Sequence, residues 1–442
     1  MRRRATGMEN MMPDEVHPAP ARPAPDTLAI AGSSPVRPPN RPWPRWPQPA
    51  ENAPDLLASV LAGGRWAISG PATGSEPYER AFGRRFAEYV GTRHCVPVDH
   101  GSSALVTALE TLRLPYGSTV LVPALTWVAS ASAVFRAGLV PILVDVDPET
   151  GCVGPDNIAP EADTGALIAV HWACAMADIP GIREITDPLG IAVIEDAAQA
   201  HGAQWLGKQA GSLGRIGCFS MQHSKVLTAG EGGAVVTDDD ALAALLEELR
   251  ADSRRYADGQ STAMGLDLVE SATLMGANFC LSEFGAAVLC AQLGILDEQH
   301  AIRNANYLLL GKLLADVPGV RLLNHREEQT RLSLYEVPLI FDPLPDGVTA
   351  QQIADALTAE LHTRFYPPRA PLNRSTLLRP WTKPSLAHLA GRFVAEHRTR
   401  SYPHAEHLVA HTVLAHHSSF LGDERDMADI ADAVAKVLIA YQ

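Results

Sequence analysis

The sequence predicts an α/β protein: a mostly parallel central sheet sandwiched by helices, followed by a smaller α+β domain. Three observations predict this. Short β-rich runs alternate with helical or turn-rich stretches through the first half of the chain, and past Ser282 the sequence becomes mainly helical. The chain's 442 residues also exceed the usual limit for one core, so a large domain with a smaller companion is expected.

Taken in order, residues 1–54 are rich in Pro, Ala and Arg and lack apolar periodicity, so they read as a disordered tail that cannot offset its own ordering entropy. Trp43 and Trp46, in Arg41-Pro-Trp-Pro-Arg-Trp-Pro47, are costly to leave in water, and docking of the tail's end on the folded body is favoured over a partner-binding motif. Tyr78–Val90 has helical spacing, and Ser102–Leu112 reads as a second helix opening on small hydroxyl residues. Strand-like runs follow at Thr119–Val122, Val140–Val144, Ala166–His171, Ala192–Glu195, Cys218–Met221 and Ala234–Thr237. Helices are then expected at Glu283–Leu293, Leu296–Leu314, Ala350–Leu361 and Glu424–Ala440, with a strand at Ser333–Phe341. The expected division is a large domain over 55–295 and a small one over 296–442, with no fixed-period repeat.

Composition excludes more than it assigns. Hydrophobic residues at 46% and charged residues at 19% are ordinary for a globular protein. A formal charge of −14 offers no positive field for nucleic acid or an anionic membrane. The six cysteines are scattered without a C-x-x-C pair, so neither a disulfide framework nor a zinc knuckle is indicated and a reducing cytoplasm is expected. No apolar run approaches the ~20 residues of a membrane span, and no apolar stretch follows the opening Met-Arg-Arg-Arg to make a targeting signal.

Ligands of α/β sheets gather at the carboxyl ends of the strands, and two such ends here are unusually polar. One run ends in Asp196-Ala-Ala-Gln199-Ala-His201-Gly202; another leads into Gln222-His223-Ser224-Lys225 and the turn Gly230-Glu231-Gly232-Gly233. A lone Asp after a strand is more often a helix cap, and a lone Lys is usually solvated. Together they suit a pyridoxal enzyme, which needs a carboxylate to keep the pyridine nitrogen protonated and a lysine to bind the aldehyde as an imine. Gly101-Ser102-Ser103-Ala104 opens a helix whose free amides suit an anion, although it is also an ordinary cap. Ser220 and Ser224 add hydroxyls beside Lys225, and Trp127 either stacks on a flat ring or packs in the core. His404, His407 and His411 fall on one helical stripe, but no nearby acid or Cys completes a ligand set; a polar helix face is read there, and no metal.

The string Glu195-Asp196-Ala-Ala-Gln199-Ala-His201-Gly202, followed by Phe219-Ser220-Met-Gln-His-Ser-Lys225 and Gly230-Glu-Gly-Gly233, resembles the DegT/DnrJ/EryC1/StrS family of pyridoxal-phosphate aminotransferases. The resemblance runs from about Gly70 to Gln442 and implies the aspartate-aminotransferase fold (fold type I) and a pyridoxal 5′-phosphate cofactor. Carried over by position, Lys225 matches the imine lysine, Asp196 the pyridinium partner and Gln199 a residue near the ring hydroxyl. Trp127 matches the stacking aromatic, and Gly101, Ser102, Ser103 and Ser220 the phosphate cradle. Asn278 matches an Asn that reaches the phosphate from the second subunit, which implies a homodimer with shared active sites. Cys280 stands where the family usually has Arg.

Within the family the likeness is to scyllo-inosose and 2-deoxy-scyllo-inosose aminotransferases and 3-amino-5-hydroxybenzoate synthases, on Asp99-His-Gly-Ser-Ser-Ala-Leu105, Asn278-Phe-Cys-Leu-Ser282 and His417-Ser-Ser-Phe-Leu-Gly422. It implies transfer of an amino group from L-glutamine or L-glutamate to a keto-cyclitol or keto-sugar in aminoglycoside-type biosynthesis. Two departures bear on the substrate side: His171-Trp-Ala-Cys-Ala175 lacks the usual Gly, and Asn373 stands where His is common. A dehydration and aromatisation of the aminohydroxybenzoate type is the nearest rival, separable by its product. A catalytically silent partner protein, docking through its tail, is the rival from another class.

Overall fold

The computed structural model describes residues 22–69, 76–257, 268–271 and 273–442. Seven strands form the central sheet: β1 (His94–Val98), β2 (Thr119–Pro123), β3 (Val140–Val144), β4 (Thr164–Val170), β5 (Ala192–Asp196), β6 (Ile216–Ser220) and β7 (Gly233–Thr237). Their spatial order is β1-β7-β6-β5-β4-β2-β3. β3, β2, β4, β5 and β6 pair in parallel, whereas β7 runs antiparallel to both β6 and β1. The apolar runs in β2, β5 and β7 are buried along their whole length, as expected of strands covered on both faces.

Helices α1 (Ala53–Gly63), α2 (Tyr78–Val90), α3 (Gly101–Thr111), α4 (Val128–Arg136), α5 (Ile179–Thr186), α6 (Asp240–Arg250) and α7 (Glu283–Leu293) accompany this sheet. α2 shows the rule they follow: Phe82, Phe86 and Val90 recur every fourth residue and are buried, and the helix stops at Gly91, whose φ of 80° favours glycine. α8 (Leu296–Leu314) leads to an antiparallel sheet of β8 (Arg321–Leu322), β9 (Glu336–Ile340), β10 (Phe365–Tyr366) and β11 (Thr412–His416), in the order β8-β9-β11-β10. α9 (Ala350–Leu361), α10 (Ala387–His397), α11 (Pro403–His411) and α12 (Glu424–Tyr441) complete this part. One buried apolar cluster continues from Phe86 and Leu167 in the first part to Leu339, Leu357 and Val434 in the second.

Residues 22–54 differ from the expected disordered tail; residues 1–21 lie outside the described residues. The segment crosses the folded body as a strap. The Ala29 and Val36 N–H groups donate to the Glu360 carboxylate, each at 2.9 Å. Arg37, 0% exposed, donates to Asp426 at 2.7 Å and to Asp429 at 2.9 Å, with its guanidinium 3.8 Å from the centre of the Trp43 ring. Trp43 Nε1 donates to the Leu361 carbonyl at 2.6 Å, and the Ala50 N–H to Gln292 at 2.6 Å. Composition reads this segment as unable to offset its ordering entropy, but acids of α12 supply partners for Arg37 and Arg41, and Trp43 and Trp46 dock as anticipated.

Candidate active site

β5 ends on two adjacent carboxylates that the pleat sends to opposite sides. Glu195 accepts from the N–H groups of Gly211 and Leu213 at 2.8 and 2.7 Å and meets His171 Nε2 at 2.9 Å. His171 Nδ1 accepts from the Ala177 N–H at 3.1 Å, so Nε2 carries the proton given to Glu195. This buried pair fixes the loops around the strand end. Asp196, 6% exposed, accepts from Ser130 Oγ at 2.8 Å and from the Ala198 N–H at 3.3 Å. Burial pushes its carboxyl up, against the pull of those two donors and of the charge on Lys225. Among the described residues no cation forms an ion pair with it.

Lys225 lies on the loop after β6, half-buried, with Nζ 3.8 Å from the centre of the Tyr335 ring. The loop is pinned from several sides. The Lys225 N–H donates to the Gln222 carbonyl at 2.8 Å, and the His223 N–H to the Gly230 carbonyl at 2.7 Å. Ser224 Oγ bonds Gln222 Oε1 at 2.8 Å and the Tyr335 hydroxyl at 3.1 Å. His417 Nε2 donates to the Ser224 carbonyl at 3.0 Å, and Trp46 Nε1 to the His223 carbonyl at 2.9 Å. His201 packs 5.3 Å from the Phe219 ring, and burial, helped by the charge of Lys225, pushes its imidazole down to about 3. It is a neutral core residue.

The first turn of α3 abuts the end of β6 so closely that a Cβ on Gly101 would lie 2.5 Å from Ser220 Cβ, and one on Gly233 2.5 Å from the His100 carbonyl. Only glycine permits this approach. The His100 side chain makes no capping bond, so the N–H groups of Gly101, Ser102 and Ser103 face outward from the positive end of the helix. Among the described residues, no hydrogen bond engages the Ser102, Ser103 or Ser220 hydroxyls. Gly101, Ser102, Ser103 and Ser220 could together hold an anion beside the Lys225 loop.

Gln199 Oε1 accepts from the Ala173 N–H at 2.6 Å, which leaves the amide NH₂ as a donor. Ala173 holds a φ of +58°, and its carbonyl accepts from the Tyr335 N–H at 3.2 Å, so Gln199 and Tyr335 grip one strained residue. Trp127 caps α4 at the end of β2, is 46% exposed, and carries the Arg369 guanidinium 4.6 Å from its ring centre. It is a rim residue, not a core one. Asn278 stands apart: exposed, it accepts from the Cys280 N–H at 3.3 Å, and among the described residues nothing links its side chain to the others.

Sequence reasoning did not reach Ser130, Tyr335 or Glu336, and it named His417 only as part of a family motif, not as a support of the Lys225 loop. Glu336 is half-buried and accepts from the Tyr366 hydroxyl at 2.7 Å; burial pushes its carboxyl up, while Tyr366, Lys225 and Arg369 draw it back. A charged residue inside the apolar run 333–341 was the available signal. Asn373 is buried and donates to the Arg400 carbonyl at 2.7 Å, so it serves the packing of its own loop. The arrangement can bind an anion at α3, hold a cation against Asp196 and present an amine between them.

A model of the DegT/DnrJ/EryC1/StrS aminotransferase family matches residues 52–432. The L-glutamine:2-deoxy-scyllo-inosose aminotransferase of Streptoalloteichus tenebrarius is 45% identical over 423 residues, covering 93% of this chain and 97% of that one. The L-glutamine:scyllo-inosose aminotransferase of Streptomyces griseus is 40% identical, with 93% and 97% covered. The 3-amino-5-hydroxybenzoate synthase of Amycolatopsis mediterranei is 37% identical over 63% of this chain and 69% of its own. Among solved structures, a 3-amino-5-hydroxybenzoic acid synthase superposes with a TM-score of 0.75 at 29% identity, covering 90% of this chain and 99% of that one.

Proposed function

Because the chain belongs to the DegT/DnrJ/EryC1/StrS aminotransferase family, we propose that it moves the amino group of L-glutamine onto a keto-cyclitol of the scyllo-inosose type, with pyridoxal 5′-phosphate as its cofactor. The observation that carries the chemistry is the convergence on one end of the parallel sheet of three polar groups that form no ion pair among the described residues. These are the Lys225 amine, the desolvated Asp196 carboxylate and the amides at the start of α3. The relatives' names supply the donor and the acceptor, and aminoglycoside-type biosynthesis is the setting they suggest.

The residues fit that cofactor. Asp196 would hold the ring nitrogen, and the amides of Gly101, Ser102 and Ser103 with the Ser220 hydroxyl would hold the phosphate. Trp127 would stack on the ring, and the free NH₂ of Gln199 would donate to the ring hydroxyl. When bound, the cofactor supplies a carbonyl for the incoming amine and a protonated ring that draws electrons from the adjoining carbon. Lys225 would hold that carbonyl, and its free amine would carry the proton from the donor α-carbon. Tyr335 orders the amine through its ring and, through Ser224, the loop beneath it. Tyr366, Glu336 and Arg369 offer hydrogen-bonding groups on the side where a polyhydroxylated ring would lie. Asn278 would reach the phosphate of a second copy's site in a homodimer. The six free cysteines suit a reducing cytoplasm, and among the described residues no helix is long and apolar enough to cross a membrane.

Adding L-glutamine to the purified protein should bleach the carbonyl-form absorbance of the cofactor, and a scyllo-inosose-type ketone should restore it with release of the aminocyclitol. A Lys225→Ala variant that kept both responses would overturn the assignment. An aromatic product in place of an aminocyclitol would move the protein to the dehydratase reading.

A further inference from the structure

α11 hands over directly to β11, and the end of β9 lies against this junction, where the Phe341 N–H donates to the His411 carbonyl at 2.8 Å. The junction gathers three metal-type ligands. His407 and His411 are one turn apart on α11, so both project from the same helix face. Asp342, the residue after Phe341, brings Oδ2 to 3.1 Å from His407 Nε2. One ligand atom from each of Asp342, His407 and His411 lies within 4.8 Å of the other two. Sequence reading found the histidines but no acid, because the acid sits 65 positions away and is delivered by the sheet.

The protonation pattern suits a ligand set. His411 Nδ1 lies 2.9 Å from the His407 carbonyl, which can only accept, so Nδ1 carries the proton and Nε2 keeps its lone pair. A backbone bond to the remote nitrogen is how metal-binding imidazoles are commonly oriented. His404, on the same helix, instead sets Nδ1 against the Val146 carbonyl at 2.9 Å and takes no part.

We propose that Asp342, His407 and His411 bind a divalent transition metal of the zinc class, clamping α11 to the end of β9. The site lies at the far end of β11 from His416 and His417, so it is separate from the Lys225 pocket. Two imidazole nitrogens and one carboxylate oxygen form a borderline ligand set, which favours zinc, copper or nickel over magnesium or calcium; water would fill the remaining position. In binding, the metal displaces the proton that His407 Nε2 shares with Asp342, and that proton leaves to solvent. The two rings, now stacked with centres 4.0 Å apart, rotate until their lone pairs converge.

The test is a zinc titration of the holoenzyme against a chromophoric chelator, with melting temperature read in parallel. One saturable zinc per chain is expected, together with a higher melting temperature. His407→Gln and His411→Gln should each weaken binding by more than about tenfold and abolish the thermal shift. His404→Gln should do neither, and excess Mg²⁺ or Ca²⁺ should not displace the zinc. Asp342→Asn, on the other element, should also weaken binding and serves if a helix variant folds poorly. No saturable binding, unchanged affinity in all three ligand variants, or displacement by Mg²⁺ would each overturn the proposal.

Discussion

Asp196 loses most of its hydration at the end of β5, and its carboxyl is pushed up by that burial despite the Ser130 hydroxyl and the Ala198 N–H. A raised carboxyl means the folded chain holds the proton more tightly than the unfolded chain. Its stabilising contribution is therefore present below the unfolded value and is lost as pH rises through the folded one. Asp196→Asn keeps the shape, and its oxygen can still accept from the Ala198 N–H while the Ser130 hydroxyl accepts from the new NH₂, so the cofactor-free variant should melt higher at neutral pH and show a flatter pH dependence. The same change removes the partner of a protonated ring nitrogen, and turnover with L-glutamine should fall by about 10² to 10⁴. Thermal melts across pH, paired with initial rates, check both halves; unchanged turnover would remove Asp196 from the mechanism. Ser130→Ala should cost about 1 kcal/mol of hydrogen bonding at Asp196, read as roughly a fivefold drop in kcat with little change in KM. The grouping of Asp196 with Gln199 and of Ser220 with Lys225 was legible in the sequence because each pair lies at or just after the end of a strand. Tyr335 and Ser130 were not: Tyr335 meets Ser224 across 111 positions and Ser130 meets Asp196 across 66, and no local pattern encodes such meetings.

At the scale of elements, long periodic helices were readable to the residue: Glu283–Leu293, Leu296–Leu314 and Ala350–Leu361 form as expected. β1 was missed because Pro97 interrupts it, and the strand tolerates a proline because it lies at the sheet edge with β7 as its sole neighbour. α4, Val-Ala-Ser-Ala-Ser-Ala-Val-Phe-Arg, carries too many small residues for a clear apolar stripe. The strap over 22–54 is the largest difference, since its anchors on the folded body, Glu360, Asp426, Asp429 and Gln292, lie hundreds of positions away. Arg37 is its main anchor, and Arg37→Ala would leave Asp426 and Asp429 facing each other with Arg41 as the remaining cation. The expected loss is about 3 kcal/mol, at the low end for breaking a buried pair because Arg41 stays. Trp46 reports on the other end: its indole bonds the loop of Lys225 and meets the His417 ring edge-on at 4.4 Å. Trp46→Phe keeps most of the ring contact and loses the hydrogen bond, whereas Trp46→Ala loses both. If the strap steadies the Lys225 loop, cofactor affinity should fall in the order wild type, Phe, Ala. Equal cofactor affinity in all three, with only the melting temperature lowered, would reduce the strap to a stabilising wrap.

The whole molecule poses the question of how many chains make one site. Lys225, Asp196 and the start of α3 converge within one chain, but the exposed Asn278 side chain touches none of them. If Asn278 serves the phosphate of a second copy, two individually defective chains can complement each other. In a mixed dimer of Lys225→Ala and Asn278→Ala chains, one site combines both lesions and the other combines the intact Lys225 of one chain with the intact Asn278 of its partner. Random pairing makes about half of the dimers mixed, so co-expressed chains should recover about a quarter of the wild-type sites. Those sites should also have wild-type KM for L-glutamine, which the weakened Asn278→Ala homodimer would not show. If Asn278 acts within its own chain, the mixture should instead give half the activity of the Asn278→Ala protein, at that variant's KM. The two outcomes differ in both amplitude and KM, so one titration of donor against the co-expressed mixture decides whether the active site belongs to the chain or to the pair.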